Sequence, residues 1–198
     1  MPKQVDHRER REEIARALWR VVETSGVLRL SLREVAKEAG MSHGQVQHYF
    51  ASRQDLLAFA MDFAAEQSAA RVAAGLERLG ADPHPRDVLR LVLIEMLPLH
   101  PDSRATSRMN AAYVLEALHD EQIRARTRDG MSRGRAQVEQ LVRGALADGR
   151  ITGERAPSTE TDRLLAITGL TPLLELGVIA PDDALAAIDR HLDDLFVR

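Results

Sequence analysis

The segment that most restricts the fold lies at residues 31–50, where two short helices are predicted on either side of one glycine. Ser31 can cap the first helix, and Glu34 follows three residues later, which is the pattern of a capping box. Gly40 supplies the sharp stop, and Ser42 can cap the second helix. Two short helices joined by a tight turn that contains glycine are the outline of a helix-turn-helix, and the sequence predicts one here.

The rest of the chain is also predicted to be helical, because Leu, Ala, Arg and Glu dominate and no alternating strand pattern appears. We expect an all-α fold of about nine helices, with an N-terminal three-helix head at residues 1–52 and a helical-bundle body at residues 53–198. The predicted helices span about 5–24, 32–39, 43–49, 53–79, 86–97, 102–118, 121–147, 161–176 with an interruption at 169–172, and 181–196.

Composition excludes several classes of protein. Hydrophobic residues make up 44% of the 198 residues, and cysteine is absent, which excludes disulfides and zinc–thiolate sites. No apolar run is long enough for a membrane span, and the charged N-terminus lacks the apolar core of a secretory signal, so a cytoplasmic location is expected. The first 55 residues carry 10 Lys/Arg and 8 Asp/Glu, whereas the whole chain has a net charge of −3. A mildly basic head on an acidic body is compatible with a sequence-specific DNA-binding protein.

The second short helix combines a narrow apolar face with many hydrogen-bonding groups. At 100° per residue, Val46 and Phe50 point the same way and can anchor the helix to its neighbours. The opposite face lacks apolar side chains and could contact the edges of DNA bases. Its members are Gly44, Gln45, Gln47 and His48.

Each residue type on this face suits DNA. Glutamine can form a paired donor–acceptor contact with adenine in the major groove, and glycine allows close approach of the backbone. Free N–H groups at the start of the helix suit a phosphate, and His, Tyr and Arg side chains can donate to phosphate oxygens. The predicted DNA-contacting residues are Ser31, Arg33, Ser42, His43, Gly44, Gln45, Gln47, His48, Tyr49 and Arg53.

The segment "LSLREVAKEAGMSHGQVQHYFASRQDLL" at residues 30–57 resembles the DNA-binding domain of TetR/AcrR-type transcriptional regulators. The closing segment, from Arg163 to Phe196, is similar to the C-terminal domain of the osmoprotectant-repressor (BetI-like) subgroup. Gln45-Val46-Gln47 stands where that family often has Thr-Leu-Tyr, and His43 stands in place of a common Lys, so no operator sequence carries over. The positions that match the family's pattern are Ala36, Ala39, Gly40, Ser42, Gly44, His48, Phe50, Ser52, Arg53 and Leu56.

The resemblance implies a ligand-responsive repressor that binds a palindromic double-stranded DNA operator as a homodimer. Apolar stripes on the last two predicted helices provide candidates for the dimer interface, although packing inside one chain would use the same residues. These are Leu164, Ile167, Leu170, Leu174, Leu185, Ile188 and Leu192. Candidates for contact with a small-molecule effector are Phe63, Met96, His100, Asn110, Tyr113 and Glu116, several of which could instead face solvent.

Other functions receive less support from the sequence. An activator or a global DNA-binding regulator would use the same head, and a small-molecule-binding module without an operator remains an alternative. No arrangement of residues supports an enzyme, a metal site or a cofactor site. Aromatic residues make up 4% of the chain, which argues against the converging rings that a choline-like effector needs.

Overall fold

The computed structural model describes residues 2–26, 30–151 and 153–196. Those residues form ten α-helices, one 3-10 helix and no strand, which confirms the prediction of an all-α fold. None of these helices is long and apolar enough to cross a membrane. The helices are α1 (Pro2–Ser25), α2 (Leu32–Glu38), α3 (His43–Tyr49), α4 (Arg53–Leu79), α5 (Pro85–Glu95), α6 (Pro101–Ala117), α7 (Glu121–Ala147), α8 (Pro157–Leu165), the 3-10 helix (Ala166–Leu170), α9 (Thr171–Glu175) and α10 (Pro181–Leu195).

The predicted eighth helix is wrong in its bounds. The chain instead forms α8 from Pro157, tightens into the 3-10 helix at Ala166 and resumes as α9 at Thr171. Proline is favoured in the first turn of a helix, which accounts for the early start at Pro157. Pro172 lies in the first turn of α9. Because proline has no backbone N–H to donate to the preceding turn, a continuous α-helix across this point is disfavoured.

The first of two hydrophobic cores unites α1, α2 and α3 with the first half of α4 and with α6. The same core therefore extends from the head into the body, and the predicted boundary after residue 52 stays a prediction. Its fully or almost fully buried members include Ile14, Leu18, Val35, Val46, Phe50, Leu56, Leu57, Phe63 and Met109.

The second core lies between α5, α7, α8 and α10. Arg90 of α5 donates to Asp189 of α10 at 2.6 and 3.1 Å, and this guanidinium lowers the pKa of the Asp189 carboxyl.

Helix α5 also contacts α4, at Gly75. A β-carbon added to Gly75 would lie 2.5 Å from Cδ2 of Leu91. Glycine at residue 75 thus allows α4 and α5 to approach closely.

Candidate nucleic-acid interface

The helix-turn-helix has the predicted helix cap at Ser31 and the predicted glycine at the centre of its turn. Ser31 Oγ accepts a hydrogen bond of 3.2 Å from the backbone N–H of Glu34 and caps α2, but the Glu34 side chain is not bonded back to the Ser31 N–H, so only half of the predicted capping box forms. Gly40 follows the helix with a φ of 65°, a left-handed conformation that favours glycine. The backbone N–H of Met41 then donates to the carbonyl of Ala36 at 2.9 Å, which fixes the direction in which α3 leaves the turn.

Helix α3 is anchored by two side chains and leaves its other face open. Val46 is 0% exposed and Phe50 is 1% exposed, which confirms the predicted inward face. Gly44, Gln47 and His48 are exposed. A β-carbon at Gly44 would meet no protein atom within 4 Å, so nothing inside the protein requires glycine there. The open face is therefore available to an external partner.

Gln45 has a structural role that the sequence analysis did not assign. Ser42 Oγ accepts from the backbone N–H of Gln45 at 3.2 Å, and Gln45 Oε1 accepts from the backbone N–H of Ser42 at 2.8 Å. This reciprocal pair is a capping box. The capping box uses the side-chain oxygen of Gln45, which a paired contact with adenine would also need. The side-chain NH2 group of Gln45 is left to contact DNA. Gln47 takes no part in this cap.

Arg53 points toward the body rather than freely outward. Its Nε donates to the carbonyl of Leu30 at 3.1 Å, and its Nη2 donates to Oε1 of Glu116 on α6 at 2.9 Å. Its predicted contact with a phosphate stays a prediction. Arg53, at the start of α4, thus joins the residue before the α2 cap to the C-terminal end of α6.

The remaining predicted DNA contacts lie around this surface. Arg33 is exposed on α2, and His43 is half-buried at the start of α3. The hydroxyls of Ser31 and Ser42 accept helix-capping hydrogen bonds, although both residues are exposed. Whether any of them touches DNA stays a prediction.

A residue that the sequence analysis missed also borders this surface. The ring of His7 on α1 lies 4.9 Å from the ring of Tyr49, measured between centroids, and the ring of His48 lies 5.2 Å from that of Tyr49. No local pattern in the charged N-terminal segment distinguishes His7 from its neighbours. Its position depends on how α1 packs against α3, which the sequence alone does not give.

Two family models match the chain. The model described as "Bacterial regulatory proteins, tetR family" matches residues 14–59, and the one described as "BetI-type transcriptional repressor, C-terminal" matches residues 85–197. The chain is also 36% identical over 201 residues to the HTH-type transcriptional regulator PksA of Bacillus subtilis (strain 168), covering 100% of this chain and 95% of that protein. The chain belongs to the TetR family. This TetR-family protein is thus a DNA-binding transcriptional regulator with a helix-turn-helix head.

Solved structures resemble the TetR-family protein over nearly its whole length. A transcriptional regulator from Rhodococcus sp. Rha1 is 26% identical with a TM-score of 0.77, covering 93% of this chain and 95% of that one. A protein from Saccharomonospora viridis, solved in complex with choline, is 20% identical with a TM-score of 0.84, covering 96% and 99%. The second likeness establishes the fold alone.

Two predicted effector contacts of the TetR-family protein lie together in the first core. Phe63 stacks on Trp19 with ring centroids 5.1 Å apart, and Tyr113 is 6% exposed in the same core. Burial raises the pKa of the Tyr113 hydroxyl, and nearby Arg126 opposes that shift. The indole Nε1 of Trp19 is buried and has no hydrogen-bond partner among the described residues. The sequence analysis had not assigned Trp19 to this site.

The other four predicted effector contacts do not converge on that site. Met96 is 40% exposed, and Asn110 is exposed on α6. Glu116 binds Arg53, as described above. His100 caps α6: its Nδ1 accepts from the backbone N–H of Ser103 at 3.2 Å, and its Nε2 lies 3.3 Å from Oε2 of Glu95.

The predicted dimer residues fall into two groups. Leu164, Ile188 and Leu192 are each 0% exposed within the single chain, because they fill the second core. They have no surface for a partner, which corrects their assignment to the interface. Ile167, Leu170, Leu174 and Leu185 keep partial exposure. Next to them in the sequence are three exposed apolar side chains: Leu173, Leu176 and Val178, at 37%, 77% and 66% exposure.

Proposed function

We propose that the protein is a homodimeric repressor that binds a palindromic operator and releases it when a small-molecule effector binds. The observation that carries the DNA-binding part is the open polar face of α3, held outward by Val46 and Phe50. Two such helices can enter successive major grooves of one duplex when their separation is about 34–36 Å. The protein would act in the cytoplasm, where it can reach the chromosome.

Within the head, Gln47 is the leading candidate for base contact. Its side chain is exposed and takes no part in the capping hydrogen bonds that engage Gln45. Gly44 would allow the helix backbone to approach the groove. Arg33, His48 and Tyr49 would bind phosphates and so position the head without selecting a sequence.

The dimer interface would use the partly exposed apolar residues of the 3-10 helix, α9 and α10. A two-fold interface must be self-complementary, and a continuous apolar surface meets that condition. Leu173, Leu176 and Val178 support this assignment, because large exposed apolar side chains close together mark contact surfaces. Ile167, Leu170, Leu174 and Leu185 would complete it.

The effector site would lie where α4 and α6 meet, around Phe63 and Tyr113. The unpartnered indole N–H of Trp19 favours an effector with a hydrogen-bond acceptor. A ligand inserted there would push α6 away from the start of α4 and would therefore disturb the bond between Arg53 and Glu116. Such a ligand shifts the population of the protein only to the extent that it binds the conformation unable to bind DNA more tightly than the DNA-binding conformation.

The solved complex of a structural neighbour with choline raises a quaternary ammonium compound as one candidate effector. Here the guanidinium of Arg16 lies 4.9 Å from the ring centroid of Phe63, and that of Arg11 lies 4.2 Å from the ring centroid of Phe59. The cations of the protein itself therefore occupy ring faces that choline would need. We favour an uncharged or anionic effector.

Random-site selection with the full-length protein tests this function. A pool of duplexes that contain a randomised central segment is bound, recovered and sequenced over several rounds. We expect an enriched inverted repeat with half-sites about one DNA turn apart. Enrichment of no sequence, or of a single half-site without a repeat, would contradict a dimeric operator-binding repressor.

A further inference from the structure

Arg108 of α6 joins two parts of the chain that are far apart in sequence, the head and the C-terminal segment. Its Nε and Nη2 donate to Oε2 of Glu175, the last residue of α9, at 3.0 and 2.7 Å. Its Nη1 donates to the backbone carbonyl of Glu23, in the last turn of α1, at 3.4 Å. One guanidinium therefore connects α1, α6 and the segment that carries the proposed dimer interface.

The contact with α1 supplies what the end of that helix lacks. The last carbonyls of an α-helix have no partner within the helix, and their partial negative charge favours a nearby cation. The last turn of α1 contains no basic residue of its own. Arg108 provides both a donor and a positive charge there, so it restrains the C-terminal end of α1.

The contact with α9 depends on the same side chain. Glu175 is 18% exposed, and its Oε1 is buried without a hydrogen bond among the described residues. Nε of Arg104, one turn earlier on α6, lies 4.0 Å from that oxygen, which is beyond hydrogen-bond distance. Arg108 therefore holds the carboxylate through Oε2, directly beside Leu176, which is 77% exposed in the proposed interface.

Helix α6 is also fixed against the head at two further points. Met109, the residue after Arg108, is 0% exposed and packs in the first core together with side chains of α1. Towards the end of α6, Glu116 accepts from Arg53 at the start of α4. A shift of α9 that pulls on Arg108 is therefore passed to the head rather than absorbed by α6.

We propose that Arg108 is a positioning residue for operator recognition, because through Glu175 it ties the head to the dimer interface and so sets the separation of the two recognition helices. This inference rests on the proposed dimeric function. In a two-fold dimer, the path from one head to the other passes through the interface, so a bond between α9 and the head limits how far the heads move apart. A duplex presents its half-sites about 34–36 Å apart. Arg108 makes the protein selective for the spacing of the half-sites, whereas α3 is selective for their sequence.

The alternative is that the ion pair only stabilises α9 or the dimer. Arg108→Gln removes the contacts with both α9 and α1. Glu175→Gln tests the pair from the α9 side, because it removes the charge, keeps the shape and leaves Arg108 able to donate to Glu23. Arg104→Gln is the matched control, since Arg104 lies four residues before Arg108 on the same face of α6 and is 45% exposed.

The experiment measures dissociation constants of the full-length protein for the selected palindrome, for duplexes whose central spacer is one or two base pairs longer or shorter, and for a duplex with one half-site. Each added base pair moves a half-site by about 3.4 Å and rotates it by about 35° around the duplex. We expect the wild type to lose about tenfold in affinity for each base pair, because the DNA must deform to engage both heads. Arg104→Gln should behave in the same way.

Arg108→Gln should lose only about threefold in affinity for each base pair, and Glu175→Gln should relax the spacing preference in the same direction. Substituting both residues should add nothing beyond the effect of Arg108→Gln, since the two residues act as one pair. All of these variants should keep wild-type affinity for the single half-site and should remain dimers in sedimentation velocity.

A spacing preference as strict as that of the wild type in both single variants would overturn this inference alone. The same conclusion follows if only one of the two folded variants relaxes the preference, or if Arg104→Gln relaxes it equally. Single variants that are monomeric or unfolded would show that the pair maintains the dimer or the fold and does not set the head separation. A wild-type protein that binds no palindrome would overturn the proposed function and this inference with it.

Discussion

Nη2 of Arg53 lies 2.9 Å from Oε1 of Glu116, so the first residue of α4 is bonded to α6 in the body. The two side chains are 28% and 35% exposed, which places the pair between a surface ion pair and a buried one. Pairs of this kind stabilise proteins by up to about 1 kcal/mol. That free energy is small enough for an effector to change and large enough to influence where the head lies.

Glu116→Gln should strengthen DNA binding. The substitution removes the carboxylate that holds Arg53, and the freed guanidinium can reach a phosphate. We expect the plot of log K against log salt to become steeper by about 1.8, because each of the two heads of the dimer adds one phosphate contact worth about 0.9. Fluorescence anisotropy at several salt concentrations measures both quantities.

Glu121→Gln is the matched control for that substitution, because Glu121 is an exposed carboxylate that pairs with Arg124 within α7. It should change neither affinity nor salt dependence. A Glu116→Gln protein that also behaves like the wild type would show that Arg53 gains no phosphate contact when it is released.

Gly44→Ala should weaken DNA binding without weakening the fold. A β-carbon at this position meets no protein atom within 4 Å, and alanine favours a helix over glycine by about 0.5–1 kcal/mol. Urea unfolding should therefore give an equal or higher free energy of unfolding, whereas DNA affinity should fall by about tenfold because the added methyl separates the helix from the groove.

Gly130→Ala provides the comparison, since Gly130 lies in α7 with the same open space around its α-carbon. It should have a similar effect on stability and none on DNA binding. Unchanged DNA affinity in Gly44→Ala would mean that α3 does not approach DNA closely at this residue.

Choline should not bind with appreciable affinity. Arg16 and Arg11 already lie over the rings of Phe63 and Phe59, and an approaching quaternary ammonium would meet like charge there. Titration calorimetry with choline up to millimolar concentration is expected to give only heats of dilution. Saturable binding of choline would refute this view of the ring cluster.

Leu176→Arg should convert the dimer to a monomer. Leu176 is 77% exposed in the single chain and lies in the proposed interface, so a charge there would be buried against the partner. Leu115→Arg tests whether any exposed leucine has the same effect, because Leu115 is 63% exposed on α6 outside that surface. Sedimentation velocity should give a monomer for the first variant and a dimer for the second. A dimeric Leu176→Arg protein would exclude this surface.

Sequence patterns predicted the local features of the head well. The caps at Ser31 and Ser42, the glycine turn at Gly40 and the inward pair Val46 and Phe50 depend on neighbouring residues, and all are present in the structure. Local spacing is sufficient for such features because their hydrogen bonds span only three or four residues.

Features that depend on distant contacts were not predictable in the same way. The partner of Arg53 is 63 residues away, and the contact of His7 with Tyr49 spans α1 and α3. Leu164 and Leu170 look alike in an apolar stripe, yet only packing decides that the first is buried within the chain. Gln45 is an exception among the local features. Its three-residue spacing from Ser42 permits the capping hydrogen bond, but the sequence pattern was interpreted only as a base contact.

The central claim is that α3 reads DNA bases through Gln47. The most direct test measures the affinity of the wild type and of Gln47→Ala for the selected operator and for each of its single-base-pair variants. We predict that Gln47→Ala loses about 1–3 kcal/mol of discrimination at one base pair in each half-site and keeps the rest of the profile. An unchanged profile at every base pair would contradict the account.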